Sequence, residues 1–200
     1  DGFRSGKFDD RWAFTSKSTP LNYGSIAALA AASRVLKGYN DELAKECLDT
    51  AIKVWADEHA KEPDLFLHGN TTGGSHEELK AAVELLITTK DSKYATRLSE
   101  MWPVIDKNFA AHAGHAVEAM PFMPADFKQE LEARTKTYQK ELDAHYKENP
   151  FGVPIGRGGW AGNGQVIGFA MTNYVLHKAF PQLIDKEYVL SLPWAQNLRK

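Results

Sequence analysis

The chain has 200 residues, of which 43% are hydrophobic, enough to bury one core of ordinary size. Lys and Arg number 24 against 26 Asp and Glu, so the net charge of −2 lacks the cationic excess that nucleic-acid binders use to neutralise phosphates. The apolar runs are too short to cross a bilayer, and a single cysteine, Cys47, excludes a disulfide framework.

Hydrophobic residues recur at three- and four-residue steps along most of the chain, which predicts amphipathic helices. The predicted helices cover residues 22–37, 41–60, 75–89, 92–101, 125–147, 164–180 and 186–192. Gly38 is predicted to end the first helix, and Asp41 to cap the second. Ser75 and Glu78 have the spacing of a capping box, and Pro103 should break or kink the chain after the fourth helix.

No β-strand is predicted, because alternating apolar and polar stretches bounded by turn residues are missing. Glycine- and proline-containing connectors at residues 68–74 and 149–160 separate the helices. Amphipathic helices joined by short links are typical of αα-hairpins. Since no linker-like composition interrupts the chain, residues 1–200 are predicted to form a single all-α domain.

Four stretches of the chain form an ordered set of motifs. They are LNYGSIAALAAASRV within residues 14–35, CLDTAIKVW at 47–55, EELKAAVELLITTKDSKY at 77–94, and NPFGVP followed by GWAGN within 149–163. Taken in order, these stretches resemble glycoside hydrolase family 9, the inverting cellulases built as an (α/α)6 barrel. The order and spacing of all four carry the resemblance, since no single motif is diagnostic.

The resemblance implies αα-hairpins that form part of an (α/α)6-type toroid, and hydrolysis of β-1,4-glucan with inversion in the complete enzyme. His76 stands where the family usually has Asp, and Lys80 where it usually has Trp. The family's segment with the catalytic base would lie before Asp1, and its general acid after the sixth predicted helix. We therefore expect a partial segment with little or no activity alone, and whether this chain is itself an enzyme stays open.

Candidate catalytic carboxylates inside the chain are few. Inverting hydrolysis needs two carboxyl groups about 6.5–9.5 Å apart, one to protonate the leaving oxygen and one to activate water. Asp9 and Asp10 are candidates, but adjacent side chains point in different directions, and a turn or cap explains them as well. Glu77 is the third candidate. Together with Glu78 it is alternatively explained by a favourable interaction with the start of a helix.

Candidate substrate-binding residues centre on the glycine-rich loop before the sixth predicted helix. There Trp160 offers an indole face for stacking a sugar ring, while Arg157 and Asn163 can bond its hydroxyls. The alternative is that Trp160 fills a gap between two helices. Trp12 and His76 are further candidates for contacting substrate.

Metal ligation has only weak support. His112 and His115 would share one helix face, but zinc needs three or four ligands, so a structural role is favoured. Asp64 and Asp91 could belong to a calcium site, although no dense loop of oxygen ligands is visible. We predict no cofactor, with calcium as the alternative. Cys47 lies on an apolar stripe, where free cysteine behaves as a small hydrophobe.

Two other functions stay open: a non-catalytic helical carbohydrate-binding or scaffold domain, and a helical-barrel enzyme for another polysaccharide. Arg11 and Arg157 would suit an acidic sugar in the second case. The predicted partner is a β-glucan oligosaccharide or polysaccharide, without nucleic acid or membrane. Exposed helix faces of a partial toroid favour a homo-oligomer. The composition is compatible with a secreted or periplasmic protein, and the chain shows no signal peptide.

Overall fold

A computed structural model of the chain describes residues 17–65, 72–148 and 162–185. Helices dominate these three ranges, and no β-strand occurs within them, which confirms the all-α prediction. The helices are α1 (Thr19–Leu36), α2 (Asp41–His59), α3 (Thr72–Thr89), α4 (Ser92–Glu100), α5 (Trp102–Lys107), α6 (Phe109–Ala119), α7 (Ala125–Glu148) and α8 (Gly162–Ala179), with a 3₁₀ turn at Met120–Phe122 between α6 and α7.

The ends of α1 are set by side-chain and backbone chemistry. Ser18 caps the helix by accepting a hydrogen bond from the Leu21 backbone N–H at 3.4 Å. Gly38 has φ of +83°, the left-handed conformation in which a side chain is strained, so it ends the α1 turn as predicted. Helix α1 starts three residues before the predicted residue 22, because apolar periodicity does not register a capping serine.

Two of the predicted helix caps are wrong. The cap of α2 is Asn40, whose side chain accepts from the Leu43 N–H at 3.1 Å; Asp41 instead accepts from the Gly38 N–H at 2.7 Å. Helix α3 begins at Thr72, so Ser75 lies inside it and forms no capping box. Both errors arise because several residues before the apolar stripe can cap a helix, and only the local backbone decides which one does.

The segment between α4 and α7 is more helical than the periodicity predicts. Pro103 breaks the chain as predicted, since α4 ends at Glu100 and Pro103 lies in the first turn of α5, where a missing N–H costs no hydrogen bond. The α5 and α6 helices were not among the predicted elements. Helix α5 has six residues, too few for a clear apolar period, and α6 has eleven residues whose alanine-rich sequence shows no distinct apolar stripe.

The helices pack around one hydrophobic cluster. Helix α1 lies against α2 and α3, α3 also contacts α4 and α6, and α6 contacts α8. The fully buried large side chains in this cluster are Ile26, Leu79, Leu85, Leu86, Tyr94, Leu98, Ile105, Leu131, Leu142, Leu176, Phe180 and Ile184. Within the described ranges, none of the helices is long and apolar enough to span a membrane.

Candidate functional site

Polar side chains gather where the start of α1, the end of α2, the start of α3 and the end of α4 meet. We call Glu58, His59, Glu78 and Arg97 the carboxylate network. A second cluster, His76 of α3 and His112 of α6, is the histidine pair. Both clusters include a residue of helix α3: Glu78 belongs to the carboxylate network and His76 to the histidine pair.

Glu58 is a buried carboxylate, with 3% of its surface exposed. It accepts hydrogen bonds from Thr19 Oγ1 at 2.7 Å, Asn22 Nδ2 at 2.6 Å and Lys61 Nζ at 2.6 Å. Burial alone would raise the pKa of Glu58, but the hydrogen bonds from these three donors outweigh it and lower that pKa below its ordinary value. Glu58 is therefore a charged structural anchor that joins the end of α2 to the start of α1.

Glu78 joins α3 to both α2 and α4. Its Oε1 accepts from Arg97 Nε at 2.6 Å and lies 3.1 Å from Nε2 of His59. Arg97 also donates to Glu100 at 3.0 Å. The hydrogen bond to Glu78 is the main reason that the pKa of Arg97 is raised, which keeps the guanidinium charged. The Glu78 carboxylate therefore ties α3 to α2 through His59 and to α4 through Arg97.

Aromatic rings fill the space beside the carboxylate network. Trp55 stacks on His59 at a centroid distance of 4.2 Å, and the edges of Tyr23 and Tyr94 approach its ring at 5.7 and 5.3 Å. Nδ1 of His59 lies 2.9 Å from the Trp55 carbonyl oxygen. Burial raises the pKa of Tyr23, and the charges of Glu78 and Glu58 raise it further. With 8% of its surface exposed, Trp55 has no free indole face for a sugar ring.

The histidine pair joins α3 to α6. Nδ1 of His76 lies 3.2 Å from Nδ1 of His112, and the ring centroids are 4.8 Å apart. His112 is buried, whereas His76 is half-buried. His76 lies in the amino-terminal half of α3, which begins four residues earlier. One ring must donate its Nδ1 proton and the other must accept it, so the contact requires two neutral rings or a single shared charge.

Burial, together with nearby positive charges, disfavours protonation of the histidine pair. Burial is the largest cause and, with the nearby His76, His115 and Lys80, lowers the pKa of His112 to about 4. Burial also lowers the pKa of His76, helped by Lys80 and opposed by Glu77. Glu77 is itself paired with Lys80 at 3.0 Å. The lowered pKa values favour neutral imidazoles in both residues. A neutral ring can accept a hydrogen bond from a hydroxyl group.

Glu77 is the one described member of the candidate catalytic carboxylates. It is the sixth residue of α3, so the proposed interaction with the helix start is wrong, and no acidic residue lies in the first turn. Besides pairing with Lys80, its Oε2 lies 3.5 Å from the position that a Cβ on Gly24 of α1 would take. Its catalytic role stays a prediction.

Most predicted site residues lie elsewhere. Asn163 belongs to the first turn of α8, but its side chain is outside the description. The remaining candidates lie outside the described residues: Asp9, Asp10, Trp12, Arg157 and Trp160. The substrate-binding roles of these residues and of His76 stay predictions.

The candidate calcium ligands have local structural roles. Asp91 caps α4 by accepting from the Lys93 N–H at 3.0 Å, and it also forms an ion pair with the Lys93 ammonium. The backbone of Asp64 exchanges hydrogen bonds with Thr19, through the Asp64 N–H and the Asp64 carbonyl oxygen. Across residues 17–65, 72–148 and 162–185, no three His, Cys, Asp or Glu side chains are grouped to hold a metal ion. Calcium, like its absence, stays a prediction.

The carboxylate network was missed at the sequence level, although a signal for it exists. Glu58 lies four residues after Val54 and seven after Ala51, on the apolar stripe of α2. Glu78 lies four residues before Ala82, on the buried face of α3. Charged residues at positions that helical periodicity assigns to the core indicate a buried partner. Periodicity does not say which residue that partner is.

Comparisons with known proteins agree on one family. The family model described as glycosyl hydrolase family 9 matches residues 6–192. No curated protein matches the sequence. The structure is similar to a metagenome-derived glycoside hydrolase family 9 endoglucanase, with a TM-score of 0.67 and 18% identity over 88% of this chain and 36% of that chain.

Two further solved structures are similar. A thermostable endoglucanase from Alicyclobacillus acidocaldarius has a TM-score of 0.64 at 20% identity, over 82% of this chain and 34% of that chain. AaCel9A in complex with cellobiose-like isofagomine has a TM-score of 0.63 at 20% identity, over 86% and 38%. The chain spans little more than a third of the length of each of these proteins, and likeness at such identity shows the fold.

Proposed function

This chain belongs to glycosyl hydrolase family 9, and from that premise we propose that the protein it forms hydrolyses β-1,4-linked glucan of the cellulose type with inversion. The observation that carries the proposal is the family match over residues 6–192, which takes in nearly the whole chain. The endoglucanase fold of the matching structures supports it. No observation favours a non-catalytic binding domain or an enzyme for another polysaccharide.

The proposed substrate is a chain of β-linked glucose units. The solved relative bound to a cellobiose-like isofagomine supports a ligand of this shape. In the proposed site, Trp160 stacks on a sugar ring while Arg157, Asn163 and His76 bond its hydroxyls, with Trp12 as a further aromatic contact. Flat C–H faces and equatorial hydroxyls make a glucose ring suited to one aromatic face with polar groups at its rim.

The catalytic carboxylates are proposed only as candidates. Glu58 and Glu78 are unsuited to the role, because each is buried and committed to basic partners. Asp9, Asp10 and Glu77 remain, and one of them would need a second carboxyl group about 6.5–9.5 Å away. Inversion requires that spacing so that a water molecule fits between the sugar and the base.

Hydrolysis is tested with carboxymethylcellulose and cello-oligosaccharides, following the first product anomer by NMR. We expect the 200-residue chain alone to show little or no turnover, and a full-length protein containing it to release the α-anomer first. Release of the β-anomer first would overturn inversion. Inactivity of the full-length protein on cellulose, with activity on another glycan, would overturn the substrate.

The carboxylates are tested by Glu77→Gln, Asp9→Asn and Asp10→Asn. Each substitution is introduced into the full-length protein, which is assayed on the same substrates. A catalytic carboxylate should lose at least a hundredfold in kcat on neutralisation, because general acid–base catalysis contributes that much. Glu62→Gln is the matched control, since Glu62 is exposed outside the helices. Activity that survives all three substitutions removes them from the candidates.

Binding is tested by titrating cellotetraose into the chain and following tryptophan fluorescence. We expect Trp160→Ala to weaken binding roughly tenfold, which corresponds to about 1.4 kcal/mol. Trp102→Phe is the control, because Trp102 packs its ring edge-on against Phe127 at 5.4 Å and is part of the scaffold. Equal binding by the Trp160 variant and the wild type would show that Trp160 fills a gap between helices instead.

Location and self-association are also proposed. A secreted or periplasmic location suits an enzyme whose polymeric substrate cannot enter a cell, and cell fractionation of the full-length protein tests it.

Ile167, Met171 and Tyr174 form an exposed apolar stripe on α8, which we propose binds a second copy of the chain. Light scattering at micromolar concentration should then show a dimer that Met171→Glu converts to a monomer.

A further inference from the structure

The histidine pair is the least usual contact in the described core. Two bases face each other across the α3–α6 contact, with 3.2 Å between the Nδ1 atoms of His76 and His112. At that distance a hydrogen must lie between the nitrogens, donated by one ring and accepted by the other. Protonating both rings would place two N–H groups face to face and replace the hydrogen bond with repulsion.

Of the groups that act on the two rings, Glu77 favours a positive charge on His76, whereas Lys80 and His115 oppose a charge there. The charged groups that act on the two rings come from α3 and α6: Lys80 and Glu77 from the first, His115 from the second. Glu77 is already paired with Lys80, and His115 faces Glu118 at 3.7 Å. Helix α1 presents Gly24 next to Glu77, and its Arg34 acts on Glu118, the residue that faces His115.

We infer that the histidine pair makes the α3–α6 contact sensitive to pH: the hydrogen bond between the rings holds the contact closed when both rings are neutral, and the contact opens as acid protonates them. Opening would free the amino-terminal half of α3, which also carries His76 and Glu77, two candidate site residues. The contact belongs to the packing of this chain and does not depend on the proposed hydrolysis of glucan.

Burial of His112 sets the direction in which the stability of this contact changes with pH. The pKa of His112 is lowered to about 4 in the folded chain, against 6.5 for an unburied histidine. Below pH 6.5 the unfolded chain therefore binds more protons than the folded chain, and stability falls as the pH falls from 6.5 towards 4. Above pH 6.5 both states are neutral at this residue, so its contribution no longer changes with pH.

The test compares urea unfolding of the 200-residue chain with His112→Gln at pH 7.5 and pH 5.0. For the wild type, the two pKa values of His112 predict that the unfolding equilibrium constant rises roughly 30-fold from this residue. His112→Gln keeps a hydrogen-bonding group opposite His76 but does not titrate, so this part of the acid loss should disappear. His115→Gln, on the same helix and 30% exposed at its side chain, is the matched control and should keep most of this loss, because burial is the largest cause of the lowered pKa of His112 and His115 a smaller one.

Imidazole NMR of the folded wild-type chain provides a second measurement that does not depend on a variant folding. At pH 5.5 the His112 ring should remain neutral, and the protection factors of the amides in α3 and α6, which correct for the slower intrinsic exchange in acid, should fall more steeply with acid than those in α1 and α2. Protonation of His112 at pH 6.5 or above would overturn the inference. Parallel acid losses in the wild type and His112→Gln would overturn it as well.

Discussion

The carboxylate network and the histidine pair solve one problem in two ways. Both bury titratable side chains on α3, and Glu78 lies only two residues from His76. The network keeps its charges and pairs Glu78 with Arg97, whereas the pair gives up charge and shares a hydrogen between His76 and His112. Burial thus does not dictate the protonation state; the partner supplied by the neighbouring helix does.

The two clusters should therefore fail at different pH values. The lowered pKa of Glu58 means that its contribution to stability is present above the ordinary carboxyl value and is lost as the pH falls through the folded value. The pKa of His112 is also lowered, but for a base this means that stability is lost from pH 6.5 downwards. On acidification the α3–α6 contact should weaken before the α1–α2 contact does.

The largest effect is expected from Glu58→Ala, which removes the acceptor for Thr19, Asn22 and Lys61. Leaving a buried hydroxyl without its partner, and removing the buried carboxylate from an ion pair whose Lys61 side chain is 42% exposed, should cost about 2–3 kcal/mol at pH 7. Urea unfolding measures this, with Glu62→Ala as the exposed control. The cost should shrink in acid as the wild-type carboxylate is protonated, and a cost that stays constant to pH 3 would contradict the assigned charge.

A smaller effect is expected from breaking the contact between Glu78 and Arg97. The coupling free energy should be about 1–2 kcal/mol in a double-mutant cycle of Glu78→Gln and Arg97→Met, since Arg97 keeps 38% of its side chain in contact with water. The same cycle on the exposed pair Lys45 and Asp49 should give about 0.3–0.5 kcal/mol. Equal couplings for both pairs would remove the distinction between buried and exposed charges.

The smallest effect is expected from Gly114→Ala, on the helix that carries His112. A Cβ at Gly114 meets no atom within 4 Å, so alanine should stabilise α6 by about 0.5–1 kcal/mol through its helix propensity. Thermal unfolding at pH 7.5 and pH 5.0 should show a higher Tm at both values, with an unchanged difference between them. A changed difference would mean that helix propensity, and not the histidine pair, sets the acid sensitivity.

Much of the fold was predictable because helix formation is local. The apolar stripes predicted α2, α4 and α7 to within a residue or two, and Gly38 was recognised as a helix end from its residue type alone. The predicted start of α3 is three residues too late. Ser75 has the residue type of a helix cap and comes just before the apolar stripe, although the helix begins at Thr72. Short helices such as α5 escape periodicity, which needs more than two turns to be measured.

The candidate site was less predictable than the fold. His76 was predicted to contact substrate, and the structure places its ring against His112 of α6. His59 had no assignable geometry in the sequence, yet it stacks on Trp55 and faces Glu78. These contacts depend on the rotation of each helix about its axis, which no single segment specifies.

The amino-acid sequence by itself determined that the chain is all-α, where most helices lie, and that its ordered motifs resemble glycoside hydrolase family 9. These properties depend on steps of three or four residues and on motif order, so they can be read along the chain. Only the tertiary structure decided that Glu78 meets Arg97, 19 residues away, and that His76 meets His112, 36 residues away. The physical reason is that packing of whole helices chooses these partners, and the partners then choose which buried groups carry charge.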